Sequence, residues 1–94
     1  MKYKQIIFSG HAVRQMFRRN LNKNNVLKVI KNGEVIIDYP EDKPFPSCLI
    51  LSFIDDRPVH VVFAMDNNKQ RGIVVTAYIP DPQFWAEDFK TRRK

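Results

Sequence analysis

Residues 47–79 read SCLILSFI-DDRP-VHVVFAM-DNNKQRG-IVVTAYI, and this stretch decides the fold. Three apolar runs that are rich in β-branched and aromatic residues alternate with two polar segments that carry turn-forming residues. Successive strands joined by short turns normally pair antiparallel. The stretch therefore predicts three antiparallel strands, at Ser47–Ile54, Val59–Met65 and Ile73–Ile79.

Two helices are predicted before these strands. The first spans residues 10–19 after the capping residue Ser9, and the second spans residues 23–32 after the capping residue Asn22. Gly33 is expected to end the second helix in the left-handed conformation. Apolar residues recur at helical spacing in both segments, which predicts one face of each helix packed on the sheet. We expect these side chains to point inward: Val13, Met16, Phe17, Val26, Ile30, Leu51, Phe63 and Val75.

The remaining segments complete an α+β architecture in which two N-terminal helices pack on a four-stranded antiparallel β-meander. Glu34–Tyr39 supplies the additional strand, and Tyr3–Phe8 is either a short leading strand or an extended arm. The strands are apolar on both faces, so we expect the helices to cover one face and the tail, with Phe84 and Trp85, part of the other. The 94 residues make one domain, residues 1–94.

Positive charge is concentrated at the start of the chain. Residues 1–33 hold eight Lys or Arg and no acid, which gives this third a charge of +8. The rest holds eight basic and ten acidic residues, or −2, for a net charge of +6. This asymmetry favours a polyanionic partner, nucleic acid above all. The alternative is a lysine-rich helical surface that serves solubility alone.

Several classes of function lack their sequence signals. A single cysteine, Cys48, forms no internal disulfide and fits a reducing compartment, so we expect a cytoplasmic protein. No apolar run reaches the length of a signal peptide core or a membrane span. Phosphate-binding glycine loops and zinc patterns are missing, and two histidines with one cysteine do not form the usual ligand set of a transition-metal site. We therefore expect no metal and no cofactor. An acidic Mg²⁺ site stays open as an alternative, although we interpret Asp55 and Asp56 as turn residues.

The first candidate set for chemistry lies on the first helix. His11, Arg14 and Arg18 fall within about 60° of one face, opposite the apolar face. Guanidiniums neutralise charge that develops on a phosphate, and an imidazole moves protons near neutral pH. Arg19 follows as a further candidate for substrate binding. The set is either a phosphodiester site or an ordinary solvent-exposed polar face.

The second candidate set lies on the strands. His60 is in the middle of its predicted strand, and Thr76 and Tyr78 share one face of the next strand. A five-residue loop at residues 66–70 would place His60 opposite Thr76, although other registers remain open. The set is either a catalytic cluster or a core histidine whose hydrogen bonds are satisfied.

Short motifs follow one another along the chain in a characteristic order. They are His11-Ala12 with Arg14 and Met16, Asn32-Gly33-Glu34-Val35-Ile36, Asp38-Tyr39-Pro40, Pro58-Val59-His60-Val61-Val62 and Thr76-Ala77-Tyr78-Ile79-Pro80-Asp81-Pro82. Together they resemble the bacterial domain-of-unknown-function family 4258, over about residues 8 to 93. That family is functionally uncharacterised, so this resemblance implies no activity.

A more remote resemblance is architectural. Basic helices followed by a four-stranded antiparallel meander are similar to the RelE, barnase and colicin-type ribonucleases, which include toxins of bacterial toxin–antitoxin pairs. This resemblance implies a metal-independent endoribonuclease of RelE-like architecture, with a small acidic antitoxin-like protein as a partner. It places acid–base catalysis on His11 or His60 and phosphate binding on Arg14 and Arg18. From the residues alone, Tyr78 is a substitute for one of the histidines, and Arg19 and Thr76 are further candidates for substrate binding.

Two other functions use the same basic helices without catalysis: a module that binds nucleic acid, and an adaptor that docks an acidic protein. The enzyme makes a geometric demand that the other two do not. His11, an arginine of the first helix, and either His60 or Tyr78 must converge on one open cleft, because a base and an acid must both reach the phosphodiester.

Overall fold

Two helices and a five-stranded mixed sheet form the fold in a computed structural model that describes residues 3–93. Lys2 and Lys94, which contribute to the charge counted above, lie outside the described residues. The elements in chain order are β1 (Gln5–Phe8), α1 (Gly10–Arg18), α2 (Lys23–Asn32), β2 (Glu34–Tyr39), β3 (Ser47–Ile54), β4 (Arg57–Asp66) and β5 (Arg71–Tyr78).

The sheet has the order β1-β5-β4-β3-β2. Strands β2 to β5 form the predicted antiparallel meander, but the prediction of four strands is wrong because β1 adds a fifth. β1 pairs parallel with β5, so that Ile7 lies opposite Ile73. These partners are more than 60 residues apart in the chain, and no local pattern reveals such a pairing. Tyr3–Phe8 is thus a leading strand over most of its length.

Ser9 begins α1 and also anchors it to the sheet. Its hydroxyl oxygen accepts a hydrogen bond from the Ala12 N–H at 3.0 Å and donates one to the Val75 carbonyl at 2.8 Å. The predicted cap is therefore confirmed. Asn20 then takes a left-handed φ of 56°, which ends the helical segment.

α1 packs on β5 through a narrower strip than predicted. Ala12 and Met16 are buried, whereas Val13 is 45% exposed and Phe17 is 87% exposed. Residues 13 and 17 follow the buried pair by one position, which rotates them by about 100° around the helix axis. α1 has nine residues and packs mainly on β5, the second strand from the edge of the sheet. Only the row of Ala12 and Met16 is buried there, so the inward prediction for Val13 and Phe17 is wrong.

α2 packs on β3 and β4. Asn22 and Asn25 cap each other's backbone N–H groups, at 2.8 and 2.9 Å, which confirms the predicted cap. Val26 and Val29 are buried and Ile30 is partly buried.

Gly33 ends α2, but not in the predicted left-handed conformation. Its φ is −78°, which any residue adopts. The reason for glycine is space, because a Cβ here would lie 2.6 Å from Ile50 Cγ2 and 2.8 Å from the Leu51 carbonyl, and closer still to the Val29 carbonyl. Gly33 therefore lets the end of α2 approach β3.

The main core lies between the helices and one face of the sheet. β4 alternates, so that Val59, Val61 and Phe63 face the helices while His60 faces away from them. The inward predictions for Met16, Val26, Leu51 and Phe63 are confirmed by their burial, although Leu51 pairs with His60 and lies outside the main core cluster. Val75 is 38% exposed because it is the extra residue of a β-bulge, which makes its inward prediction wrong.

The tail after β5 covers part of the other face, as expected. Trp85 forms a β-bridge with Arg92, and the Arg93 N–H donates to the Phe84 carbonyl at 2.9 Å. Trp85 is buried, but Phe84 is 60% exposed and does not pack as predicted. No helix of the described part of the chain is both long and apolar enough to cross a membrane.

Candidate functional site

The two predicted sets of functional residues lie on opposite sides of the sheet. His11, Arg14 and Arg18 are exposed on α1, which packs on the helix-covered face. His60 and Tyr78 belong to the other face, which the tail covers. The structure therefore separates His11 from both His60 and Tyr78, and the predicted single open cleft is not formed.

The register between β4 and β5 also differs from the prediction. His60 lies opposite Tyr78, and Thr76 lies opposite Val62. The turn holds four residues, 67–70, instead of five, which shifts the partner of each β4 residue by one position along β5. The bulge at Val75 shifts the partners of Val62 and the residues before it by one more position. His60 therefore contacts the phenol of Tyr78, while Thr76 lies beside an apolar side chain.

Both ring nitrogens of His60 have hydrogen-bond partners. Nε2 lies 2.8 Å from the Phe89 carbonyl oxygen, which can only accept, so Nε2 carries the hydrogen. Nδ1 of the neutral ring is then an acceptor for the Tyr78 hydroxyl, which donates to it at 3.2 Å. This arrangement assigns one tautomer and fastens the tail to the sheet.

The surroundings of His60 keep its ring neutral. The side chain is fully buried, and the Trp85 ring packs edge-on with the ring centroids 4.6 Å apart. Burial lowers the pKa of His60 below its ordinary value of 6.5; the hydrogen bond to the Phe89 carbonyl opposes this, and the charge of Arg92 adds to it. Of the two alternatives, a catalytic cluster or a core histidine with satisfied hydrogen bonds, the structure of His60 fits the second.

Tyr78 is no better poised for proton transfer. Burial raises the pKa of Tyr78, the neighbouring Tyr39 raises it further, and only Arg92 acts in the opposite direction. A phenol whose pKa is raised holds its proton more firmly at neutral pH. His60 therefore holds the tail through the Phe89 carbonyl, and its ring reaches a substrate only if the tail moves, whereas Tyr78 is half-buried.

A groove of about 610 Å³ lies on the sheet at the β2 edge, lined by residues 38–42 with Ser47 and Val62. Its acidic residues are Asp38, Glu41 and Asp42, and Asp42 accepts a hydrogen bond from the Ser47 hydroxyl at 2.7 Å. Carboxylates repel phosphates, so this groove does not suit a nucleic-acid backbone. None of the predicted site residues lines it.

The predicted arginines belong to a larger exposed surface on the two helices, which we call the basic helical surface. It consists of His11, Arg14, Arg18, Arg19, Lys23, Lys28 and Lys31. Within residues 3–93 the two ion pairs are Arg71–Asp66 and Lys90–Glu34, and neither includes a member of this surface. Neither helix has an acidic residue in its first turn. The surface is therefore positive without internal compensation.

Sequence reasoning missed the residues that support these two regions. Arg57 adds a cation near the basic helical surface, because its Nη1 donates to the Arg19 carbonyl at 3.4 Å. Phe89 supplies the carbonyl that binds His60, and Arg92 stacks over the Trp85 ring at 5.1 Å. These contacts join distant parts of the chain, so spacing carries no signal for them. Among residues 3–93, no three His, Cys, Asp or Glu side chains gather where they could hold a metal ion.

The fold and its surfaces define a small α+β protein with two basic helices on one side of a mixed sheet. Residues 8–79 match the profile of the family described as Domain of unknown function (DUF4258), and the chain belongs to this family. No curated protein and no solved structure matches the chain. The remote resemblance to ribonuclease toxins gains no support from these comparisons.

Proposed function

We propose that this protein binds nucleic acid, RNA above all, through the basic helical surface. One observation carries the proposal: five lysines and arginines and one histidine are exposed on two consecutive helices, Arg19 is exposed at the end of the first, and no acid lies among them. Arginine side chains bind phosphate oxygens through paired N–H groups, and lysines bind them as point charges. Binding also releases the counterions that surround the polyanion, which favours association at low salt.

The opposite side of the molecule supports one orientation for this ligand. The groove beside β2 carries Asp38, Glu41 and Asp42. The tail is not acidic, because Lys90, Arg92 and Arg93 offset its carboxylates. A polyanion therefore meets negative charge at the groove, whereas the helical side attracts it. We propose binding ahead of catalysis, because His60 and Tyr78 lie on the other face of the sheet and cannot act together with His11.

Replacing both Arg14 and Arg18 by alanine should weaken binding of a single-stranded RNA 12-mer about 25-fold at 0.1 M salt. Each phosphate contact to a single strand raises the association constant by about 0.7 log units for a tenfold fall in salt. Relative to 1 M salt, the loss of two contacts therefore lowers the association constant at 0.1 M by about 1.4 log units. Both side chains are exposed, so the fold should be unaffected. Fluorescence anisotropy with labelled RNA measures the affinity.

Lys69→Ala is the matched control, because it removes one exposed positive charge from the β4–β5 turn, outside the basic helical surface. It should leave RNA affinity within about twofold of the wild type. Equal losses in Lys69→Ala and in each single arginine variant would contradict a localised site.

A metal-independent endoribonuclease of the toxin type, with RelE-like architecture, is the second candidate function. The hydrogen bond between Tyr78 and His60 favours it, since two predicted catalytic groups are adjacent and Arg92 is close enough to influence both. A ribonuclease site built on His60 and Tyr78 gives no role to Thr76 or Arg19, which were predicted to bind substrate. The active arrangement would require the tail to leave the sheet, so that Nδ1 of His60 and the Tyr78 hydroxyl reach an RNA strand.

Labelled RNA incubated with the protein in EDTA tests this second candidate. Cleavage that His60→Ala or Tyr78→Phe abolishes and His11→Ala retains would support it. RNA that stays intact, or cleavage that survives both substitutions, would exclude it and leave binding as the function.

A small acidic, antitoxin-like protein is a further proposed partner for the same surface. Its carboxylates would face the arginines and lysines that otherwise bind phosphate, so it would compete with RNA. We propose a cytoplasmic location for the protein, in keeping with the free thiol of Cys48.

A further inference from the structure

Phe17 is an apolar side chain in an unusual position. It is 87% exposed, more than any other large hydrophobic side chain of the described residues. Full burial of a phenylalanine stabilises a protein by about 1.5–3 kcal/mol, and Phe17 obtains little of this within the chain. Its ring has no aromatic or cationic partner among residues 3–93.

The neighbours of Phe17 on α1 are the phosphate-binding candidates. Arg14 is three residues earlier, on the adjacent row of the helix, and Arg18 follows directly in the chain. Side chains three residues apart on a helix have Cβ atoms about 5–6 Å apart. Arg14 Nη1 lies near Gly10, one turn before Arg14, and this flexible side chain would have to turn to bind the phosphate of a nucleotide whose base stacks on the Phe17 ring.

We infer that Phe17 is a stacking platform for an exposed base, and that the ligand of the basic helical surface is therefore single-stranded rather than duplex nucleic acid. This inference rests on the proposed function. Aromatic rings bind the faces of bases in single strands, loops and bulges, and a duplex hides those faces within its stack.

The charge around Phe17 favours a base over an apolar protein surface. Phenylalanine and arginine are both common in protein–protein interfaces, but the core of such an interface is largely apolar, and Phe17 has only Val13 as an exposed apolar neighbour one turn away. A base brings its own phosphate, so it satisfies the ring and the arginines together.

The test compares Phe17→Leu with the wild type, using one 12-mer RNA as a single strand and as a duplex with its complement. Phe17→Leu should weaken single-strand binding about 5-fold or more, because stacking on one aromatic ring is worth about 1–3 kcal/mol per base. Duplex affinity and the salt dependence of binding should not change, since leucine removes no charge. Phe17→Trp should restore or exceed wild-type affinity.

Phe84→Leu is the matched control, because it changes an exposed phenylalanine of the tail. It should leave both affinities unchanged. If the variant with Arg14 and Arg18 replaced loses affinity while Phe17→Leu binds the single strand like the wild type, stacking is wrong and the binding proposal stands. If neither variant alters RNA affinity, both are wrong. Equal losses of single-strand and duplex affinity in Phe17→Leu would also overturn the stacking role.

Discussion

Gly33→Ala should lower the free energy of unfolding by about 3 kcal/mol or more. The added methyl would overlap the Val29 carbonyl, approach Ile50 Cγ2 to 2.6 Å and approach the Leu51 carbonyl to 2.8 Å. Two of these neighbours are backbone atoms of α2 and β3, which cannot rotate away as a flexible side chain would. Overpacking commonly costs about 1–3 kcal/mol and occasionally more, and two backbone contacts together with a buried side chain belong at the upper end. Urea denaturation followed by circular dichroism measures the change.

Gly10→Ala is the control for this prediction. A Cβ at Gly10 meets only the flexible guanidinium of Arg14, at 3.4 Å. Alanine in α1 should be neutral or stabilise the protein by up to about 1 kcal/mol, because it restricts the unfolded chain and favours the helix. A Gly33→Ala protein as stable as Gly10→Ala would show that α2 does not approach β3 as closely as described.

His60→Gln should lower the free energy of unfolding by about 2–4 kcal/mol at neutral pH. It should also remove the loss of stability that protonation of His60 causes as the pH falls below the ordinary histidine pKa of 6.5. The substitution leaves the Phe89 carbonyl or the Tyr78 hydroxyl poorly paired, and an unsatisfied buried group costs about 1–3 kcal/mol. It also opens space against Trp85.

The pH dependence follows from the neutral, buried state of His60. Its folded pKa lies below the ordinary value of 6.5, so the unfolded chain binds the proton more readily. The contribution is fully present above about pH 6.5 and is lost as the pH falls towards the folded pKa, at up to about 1.4 kcal/mol per pH unit. Thermal unfolding from pH 7.5 to 5 measures it.

His11→Gln makes the same substitution at the exposed histidine of α1. It should keep both the wild-type stability and the wild-type pH profile. A His60→Gln protein whose profile matches that of His11→Gln would show that His60 is not held neutral under the tail.

Local signals in the sequence predicted most of the elements. The caps at Ser9 and Asn22 are hydrogen bonds to residues three positions later in the chain. The strands from β2 to β5 are separated by turn-forming residues that are visible in the sequence. The sequence left residues 3–8 open between a strand and an extended arm, because the pairing of β1 with β5 depends on a partner far along the chain. Gly33 was recognised as a stop, but its physical reason, the close approach of β3, is a tertiary contact.

Predictions about side-chain direction failed where a helix touches only one strand. Hydrophobic spacing cannot tell which of two adjacent rows of α1 packs on β5, so Val13 and Phe17 were assigned to the core and are exposed instead. The exposed ring of Phe17, three residues after Arg14, is the observation behind the proposed stacking role.

The candidate site was predictable in part. Helical periodicity placed His11, Arg14 and Arg18 together and exposed, since all three depend on one helix. It could not place His60, because the face of a central strand depends on register, and the turn and bulge shifted that register. The tail contacts that bury His60 depend on Phe89 and Trp85, which no spacing rule connects to it.

The salt dependence of RNA binding tests the role of the basic helical surface most directly. For a single-stranded RNA, the logarithm of the association constant should fall linearly with the logarithm of the salt concentration, by about 0.7 for each phosphate bound. The variant with Arg14 and Arg18 replaced by alanine should have a slope smaller by about 1.4, because it has lost two such contacts. A wild-type slope near zero, or an unchanged slope in the variant, would contradict nucleic-acid binding through these helices.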